Sequence, residues 1–361
     1  MSSVDVAGPV RPSETFDVGK LDAWLKERLP QLSGSPRVTQ FAGGASNWTY
    51  RLEYDGDDLV LRRPPEGKKA KSAHDMLREA RIQQALAPVF PYVAEILATC
   101  DDTAVIGSEF YVMRRIEGVI PRARLPEGVT LEPDAARRLC FSVIDTLVAL
   151  HRVDIARSGL EGLGKGTGYA RRQIEGWSDR YVQARTWKAP RCRTVMAWLA
   201  AHVPEDVATC VIHNDFRLDN LVLDPDDLTR VVGVLDWEMA TLGDPLMDLG
   251  NSLAYWVQPD DDFFLRLTRR QPTHLPGMLT RQELIVAYGE RMGLPLGDFT
   301  FYEVYGLFRL AVIAQQIAYR YHHGQTKNPA FKRFWLLVHY LDGRCRRFIR
   351  ASSRNGRLPS P

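Results

Sequence analysis

The spacing of hydrophobic positions changes about a third of the way along the chain. Before residue 115, short apolar runs alternate with polar residues or are rich in β-branched and aromatic side chains, as strands are. Asp55-Gly56 separates two of these runs and is a strong hairpin signal. Residues 74–86 instead carry apolar side chains at helical spacing among charges. The predicted strands are residues 48–54, 58–63, 105–106 and 109–116.

Helical spacing dominates after Gly118. Residues 133–151 open with a proline and carry leucine and valine every three or four positions, which predicts an amphipathic helix. Further helices are predicted at residues 190–202, 280–292, 301–322 and 330–350. A β-rich interruption covers residues 211–212, 221–223 and 231–235. Asp and Asn residues follow these short strands, and loops held by a rigid scaffold are where functional residues concentrate.

Composition narrows the class of protein. The chain of 361 residues has 45% hydrophobic and 25% charged positions. These fractions are typical of a folded protein and not of a disordered or fibrous one. Its 47 Lys and Arg against 44 Asp and Glu leave a formal charge of +3, too small an excess to indicate a nucleic-acid partner. The five cysteines contain no Cys-x-x-Cys pair, so buried free thiols are predicted rather than a disulfide framework or a zinc site.

The sequence has no pattern typical of a membrane span or of a signal peptide. No window reaches the roughly 18 apolar residues that a membrane span requires, and the first residues lack the apolar core of a signal peptide. We therefore expect a cytoplasmic protein without a membrane partner. Residues 1–14 and 351–361 are rich in Pro, Ser and Gly and are predicted to be flexible tails.

The strongest chemical signal is the spacing His-x-Asp-x4-Asn, formed by His213, Asp215 and Asn220. In such a loop the aspartate can accept a hydroxyl proton while the asparagine holds a metal ion. Sixteen positions after Asn220, an apolar strand leads into Asp236, a carboxylate suited to a hard cation. These residues predict a site for magnesium and phosphate, in which His213 anchors the loop by hydrogen bonds rather than transferring protons.

These motifs resemble the aminoglycoside phosphotransferase superfamily, the small-molecule branch of the protein-kinase-like fold. The resemblance covers roughly residues 36–345 and implies an α+β, bilobal fold that binds ATP and Mg²⁺. The strand-rich N-lobe would span residues 15–115 and the helical C-lobe residues 116–350. A glycine-bearing loop over the nucleotide phosphates is implied by the motif Gly43, Gly44, Ala45, Ser46 and Asn47.

The resemblance also assigns the remaining nucleotide contacts. Glu79 is similar to the helix glutamate that pairs with a cation on the third strand, but that strand offers no lysine, and Arg62 is the substitute. Strand alternation places Val60 beside Arg62 on the nucleotide face and turns Arg63 away. The hinge that would line the adenine pocket contains Met113, Arg114 and Ile116.

Arg217 lies two positions after Asp215, where protein kinases often carry a cation that contacts the transferred phosphoryl group. The same role is one hypothesis for Arg217. A salt bridge within the loop is the other, and the sequence does not choose between them.

The acceptor is the least determined part. The stretches 62–67 and 308–311 are similar to phosphotransferase domains fused to acyl-CoA dehydrogenases, a subgroup associated with hydroxyacyl-CoA substrates. Residues 251–350 hold 14 Lys and Arg against 8 Asp and Glu, which suits an anionic small molecule better than a polycation. An aminoglycoside or other small-alcohol kinase stays an alternative, as does a nucleotide-binding pseudokinase, because the third-strand lysine is missing. The sequence leaves the oligomeric state open.

Overall fold

The structure, a computed structural model, describes residues 7–41, 47–65, 75–126 and 128–354. Within these residues the N-terminal part forms a five-stranded antiparallel sheet of β1 (Arg37–Gln40), β2 (Trp48–Glu53), β3 (Asp58–Arg63), β4 (Ile96–Cys100) and β5 (Phe110–Arg114). The strands lie in the order β1–β2–β3–β5–β4. The hairpin predicted at Asp55-Gly56 is confirmed, because Glu53 pairs with Asp58 across it.

Helices cover both faces of this sheet. The helices are α1 (Val18–Arg28), α2 (Met76–Leu86) and the single turn α3 (Thr103–Ile106). Leu21 and Leu25 of α1 share one apolar cluster with Leu59 and Leu61 of the sheet, whereas α2 packs on the opposite face with Val60. Because successive residues of β3 face opposite ways, each side of the strand has its own apolar cluster.

The structure differs from the sequence prediction at several points in this lobe. Residues 105–106, predicted as a strand, belong to α3, whose first turn is capped by the Asp102 carboxylate. Strands β1 and β4 were not predicted, since neither has a strict alternation of apolar and polar residues. Residues 7–14 are packed rather than loose: Gly8 pairs with Gln40, and the carboxylate of the buried Glu14 accepts a hydrogen bond from the Gln40 amide.

The C-terminal part is helical. Its long central helix packs against four others, and Gly306 allows one close approach because a Cβ there would overlap the Gly250 carbonyl oxygen. The predicted helices over this part are confirmed to within a few residues. The helices are α4 (Pro133–His151), α5 (Ile155–Ser158), α6 (Tyr169–Ala184), α7 (Arg193–Ala201), α8 (Pro245–Ala254), α9 (Phe263–Leu267), α10 (Arg281–Met292), α11 (Thr300–His322) and α12 (Phe334–Arg354).

Two short antiparallel ladders interrupt the helices and carry the polar loops. Strand β6 (Cys210–Ile212) pairs with β9 (Thr241–Gly243), and β7 (Leu221–Leu223) pairs with β8 (Val231–Val234). The chain passes from the sheet to the helical part at Gly118, where a Cβ would overlap the Leu223 carbonyl oxygen. This close approach fixes the β7–β8 ladder beneath the connection between the two parts.

The α+β fold with a strand-rich N-lobe and a helical C-lobe, which the sequence predicts, is therefore confirmed. All five cysteines are free and buried, as predicted. Among the described residues, no helix is both long enough and apolar enough to cross a membrane.

Candidate functional site

The loop after β6 is locked by its histidine. The Asp215 backbone N–H donates to His213 Nδ1 at 3.2 Å, so the ring proton must be on Nε2, which lies 2.9 Å from the Leu235 carbonyl oxygen. His213 is fully buried. With both ring nitrogens engaged, His213 anchors the loop, as predicted, and has no nitrogen left for proton transfer.

Asp215 and Asn220 are held together in this loop. The Asn220 Nδ2 group donates to the Asp215 carbonyl oxygen at 2.9 Å and to Asp215 Oδ2 at 3.0 Å. Because the amide nitrogen faces Asp215, the amide oxygen of Asn220 is directed away from it. The carboxylate keeps one fifth of its side-chain surface exposed, so a proton donor can reach it.

Arg217 forms the salt bridge that the sequence left as one of two hypotheses. Its guanidinium lies 3.2 Å from Asp215 Oδ2 and 3.3 Å from Asp219 Oδ1, and it stacks on the Tyr255 ring with 4.5 Å between Cζ and the ring centroid. Burial opposes the charge, but the two aspartates raise the pKa of Arg217, so the group is a cation. A positive charge therefore stands beside Asp215.

Arg62 connects three elements. One Nη atom contacts Glu79 of α2, and the other donates to Asp236 Oδ1 at 3.1 Å, after β8. Burial raises the pKa of Glu79, while the guanidinium acts in the opposite direction. Arg62 itself is buried, yet Glu79 and Asp236 raise its pKa above the ordinary value. Since Glu79 is almost fully buried, its contact with the site runs through Arg62.

Arg63 lies on the other face of β3, as alternation predicts. It donates to the Glu14 carbonyl oxygen at 2.7 Å and lies over the rings of Phe16 and Trp48. The sheet therefore separates the two neighbouring arginines, and only Arg62 faces the site.

A cavity of about 190 Å³ lies between the sheet and the β7–β8 ladder. Val60, Met113 and Ile116 line it, with Arg62 among its polar lining residues. Asn220 and Asp236 also line this cavity, and Asp215 adjoins it through the hydrogen bonds from Asn220. An apolar cleft with a few convergent polar groups is the usual form of a small-molecule site.

Arg114, which the hinge motif placed in this pocket, does not line it. Its guanidinium lies on the outer face, 2.9 Å from Glu95 Oε2 and 3.1 Å from Asp57 Oδ1, because alternation along β5 turns it away from Met113. Asn47 does not line the cavity either. Its Nδ2 group donates to Glu238 Oε2, in the other lobe, at 3.0 Å. Gly43, Gly44 and Ser46 fall outside the described residues.

Two arginines that line the cavity were not among the site residues predicted from the sequence. Arg115 contacts Asp58 at 2.8 Å, and Arg122 donates to the Asp219 carbonyl oxygen at 3.3 Å. The available signal was alternation, since positions 113 and 115 share a face. Other lining residues that the sequence did not single out are Phe41, Thr49, Gln83, Ala94, Tyr111, Gly118, Ile120, Asp219, Val222 and Leu235.

The donor set fits a magnesium ion only together with phosphate. Within the described chain, no group of three or more His, Cys, Asp or Glu side chains is arranged to hold a metal alone. Asp236 and the outward amide oxygen of Asn220 are hard oxygen donors on the same cavity, and Mg²⁺ commonly combines one or two such donors with substrate phosphates and water. These two residues could hold a cation bridged to a nucleotide.

Asp248 supports the loop from below. This fully buried carboxylate accepts hydrogen bonds from the backbone N–H groups of His213 and Asn214, both at 2.8 Å. It also contacts His151 Nε2 at 3.2 Å, and His151 Nδ1 lies 2.6 Å from the Tyr288 hydroxyl. Burial alone would raise the pKa of Asp248, but these partners hold it below its ordinary value. Asp248 therefore stabilises the loop while remaining ionised.

A strand-rich lobe, a helical lobe and a polar loop beside the cleft between them define a protein-kinase-like fold. The family model described as "Phosphotransferase enzyme family" matches residues 37–284. This chain belongs to that family, which confirms the resemblance seen in the sequence.

Individual relatives are similar to this chain in sequence and in structure. Acyl-CoA dehydrogenase family member 11 of Mus musculus is 36% identical over 329 residues, which cover 88% of this chain and 41% of the relative. The chain thus spans less than half the length of that relative. A candidate aminoglycoside phosphotransferase from Ralstonia eutropha has a TM-score of 0.76 and 31% identity, covering 92% of this chain and 99% of that one.

A third comparison shows the shared fold alone. A thermostable mutant of aminoglycoside phosphotransferase APH(4)-Ia, solved as a ternary complex with AMP-PNP and hygromycin B, has a TM-score of 0.56 and 17% identity. The match covers 92% of this chain and 98% of that one.

Proposed function

We propose that this chain is an ATP-dependent kinase that transfers the γ-phosphoryl group of Mg-ATP to a hydroxyl group of a small molecule. The observation that carries the proposal is the meeting of Asp215, Asn220, Asp236 and Arg62 beside one apolar cavity. These side chains come from a strand of one lobe and two loops of the other. Four polar groups that converge on an apolar cleft are typical of a small-molecule site.

In this proposal the nucleotide occupies the cavity. Val60, Met113 and Ile116 contact the base, and Arg62, fixed by Glu79, binds the phosphates. The loop with Gly43, Gly44, Ser46 and Asn47 covers the phosphates, a role that follows from the family motif alone. Asn220 and Asp236 hold Mg²⁺, which when bound offsets negative charge on the phosphate oxygens.

The chemistry is assigned to the loop after β6. The acceptor hydroxyl oxygen forms a bond to the γ-phosphorus as the bond to the β–γ bridging oxygen breaks, and ADP leaves. Asp215 receives the hydroxyl proton. Arg217, a cation 3.2 Å from Asp215, is placed to offset charge on the equatorial oxygens of the transferred group.

For the acceptor we propose an anionic metabolite of the hydroxyacyl-CoA class. Two observations support this choice: the likeness to acyl-CoA dehydrogenase family member 11, and the excess of basic residues in positions 251–350. The similarity to the Ralstonia eutropha protein favours an aminoglycoside or other alcohol as the second candidate. The two acceptor classes differ in charge, so a panel of acceptors separates them.

The test is ADP release from Mg-ATP with hydroxyacyl-CoAs, aminoglycosides and amino alcohols as acceptors. Asp215→Asn removes the proton acceptor with almost no change in volume, and we expect turnover to fall by about 10³-fold, the scale of general-base catalysis. Nucleotide affinity should stay within about threefold, because Asp215 does not line the cavity.

Asp226→Asn, an exposed carboxylate between β7 and β8, is the matched control and should leave turnover unchanged. Binding of ATP without turnover on any acceptor would contradict the proposal and indicate a nucleotide-binding pseudokinase. Turnover that Asp215→Asn retains would remove the assigned role of this residue.

A further inference from the structure

The peptide unit between Asn214 and Asp215 is held at both ends. The Asn214 carbonyl oxygen accepts a hydrogen bond of 2.8 Å from Arg309 Nη2, and the Asp215 N–H donates to His213 Nδ1 at 3.2 Å. A peptide unit is rigid and planar, so two bonds on opposite edges fix its rotation. That rotation sets the direction in which the Asp215 side chain leaves the backbone.

Asn214 has a conformation that needs such support. Its φ of 64° lies in the left-handed region, which costs a residue with a side chain roughly 1–2 kcal/mol, although Asn tolerates it better than most. The structure engages the other polar atoms too: Asp248 accepts from its N–H, Tyr169 donates to Oδ1, and Nδ2 donates to the Met239 carbonyl oxygen. A backbone conformation of this kind persists where its surroundings over-determine it.

Arg309 is a buried, charged side chain that donates to an uncharged backbone carbonyl oxygen. It is 4% exposed, on α11, and its hydrogen bond is to a carbonyl oxygen rather than to a carboxylate. Its Cζ lies 5.2 Å from the Trp177 ring centroid. Burial opposes the charge, but nearby groups, Tyr305 first and the Asp215 carboxylate among them, raise the pKa of Arg309, so it stays a cation. A buried charge whose hydrogen bond goes to a neutral carbonyl oxygen costs folding free energy, which favours a role beyond stability.

We propose that Arg309 is a positioning residue for phosphoryl transfer: it holds the Asn214–Asp215 peptide and thereby aims the Asp215 carboxylate. Arg309 does not line the cavity, and its hydrogen bond to the loop goes to the backbone, while its charge also attracts the Asp215 carboxylate. This inference rests on the proposed role of Asp215. It also gives a structural role to the stretch 308–311, which the sequence singled out only by resemblance.

The test compares Arg309→Met and Arg309→Lys with Arg344→Met. Arg344 is a matched control, because it is also a buried arginine of the helical lobe but binds Asp261, at 2.7 Å, instead of the loop. In Arg309→Met we expect kcat to fall by about 100-fold, the effect of a small misplacement of a catalytic group, with nucleotide Kd within about threefold. Arg344→Met should lower the Tm at least as much and keep kcat within about twofold.

Amide hydrogen exchange provides a readout that does not depend on turnover. The Asp215 amide should exchange at least tenfold faster in Arg309→Met than in the wild type or in Arg344→Met. Arg309→Lys keeps the charge on a shorter donor and should recover part of both losses. If Arg309→Met does not fold, the positioning role is tested with Arg309→Lys alone, for which we expect kcat to fall by about tenfold.

The outcomes separate this inference from the proposed function. Wild-type kcat and Asp215 exchange in a folded Arg309 variant would overturn the positioning role, and so would an equal loss of kcat in Arg344→Met. A wild-type chain without turnover on any acceptor would overturn the proposed function. Accelerated exchange at Asp215 would then still show that Arg309 holds the peptide, and normal exchange would remove that claim as well.

Discussion

Arg62 shows how one side chain can join three elements. Its two Nη atoms reach carboxylates that are 17 and 174 positions away in the chain, Glu79 and Asp236. An arginine can do this because its guanidinium is a planar fork with donors on separate nitrogens, whereas a lysine presents one compact ammonium. The missing lysine on the third strand is therefore replaced by a group with a different geometry.

Arg62→Lys should weaken nucleotide binding. The ammonium can pair with Glu79 or with Asp236 but cannot keep the spacing of both contacts, and one charge-assisted hydrogen bond contributes about 1.5–3 kcal/mol. We expect the nucleotide Kd to rise about tenfold or more in a titration with a fluorescent nucleotide.

The neighbouring arginine supplies the control for this measurement. Arg63→Lys changes the same residue type on the opposite face of β3, so it should lower the Tm and leave the nucleotide Kd unchanged. An unaltered Kd in Arg62→Lys would show that the guanidinium does not bind phosphate.

At the scale of elements, helix α11 contributes to helix packing, to the support of the loop after β6 and to the pH dependence of stability. It approaches α8 closely at Gly306, holds the loop after β6 through Arg309, and places Glu303 beside Arg281 and Arg344. Burial raises the pKa of Glu303 to about 7 from an ordinary value of 4.5, with the two arginines acting in the opposite direction. The same helix therefore carries the proposed positioning contact and a glutamate whose ionisation destabilises the fold.

Glu303 should make stability depend on pH. Its folded-state pKa lies above its unfolded value, so between about pH 4.5 and pH 7 the folded chain binds more protons, and stability falls as pH rises through that range. Each unit of pKa difference corresponds to about 1.4 kcal/mol. Glu303→Gln removes this ionisation and should raise the Tm at pH 8 by a few degrees, with little change at pH 5.

Differential scanning calorimetry at pH 5 and pH 8 measures both values. Glu290→Gln, an exposed glutamate near the end of α10, is the control and should show no such difference. An equal Tm shift at both pH values would mean that Glu303 does not ionise within this range in the folded chain.

At the scale of the whole molecule, polar contacts close to the cavity join the two lobes. Arg78 of α2 donates to the carbonyl oxygens of Glu238 at 3.2 Å and Ala240 at 2.5 Å, and Asn47 Nδ2 donates to Glu238 Oε2. These contacts lie just after Asp236 in the chain. These hydrogen bonds therefore help to hold the N-lobe against the segment that follows Asp236.

Arg78→Met should loosen the lobes without touching the cavity. Losing two hydrogen bonds to the segment after Asp236 should raise the nucleotide Kd by about three- to tenfold and speed amide exchange in α2. Arg81→Met, an exposed arginine on the same helix, is the control and should change neither. A Kd equal to that of the wild type would show that the remaining contacts suffice to hold the lobes.

The match between sequence and structure depends on how far apart the interacting residues are. The Asp215–Asn220 contact spans five positions, and the facing of Arg62 and Arg63 follows from strand alternation, so both could be predicted. Arg114 was misplaced because the hinge motif was read as a continuous stretch, whereas the strand alternates to its last residue.

The sequence alone determined the strand-rich part, the helical part and the loop after β6, because each depends on local spacing of residue types, and the resemblance of its motifs to a known family supplied the bilobal fold. Only the tertiary structure decided that Arg62 joins Glu79 to Asp236 and that Arg309 supports Asn214 from 95 positions away. Contacts at such separations depend on how helices and sheets pack, and packing follows the shape of whole surfaces rather than the order of residues.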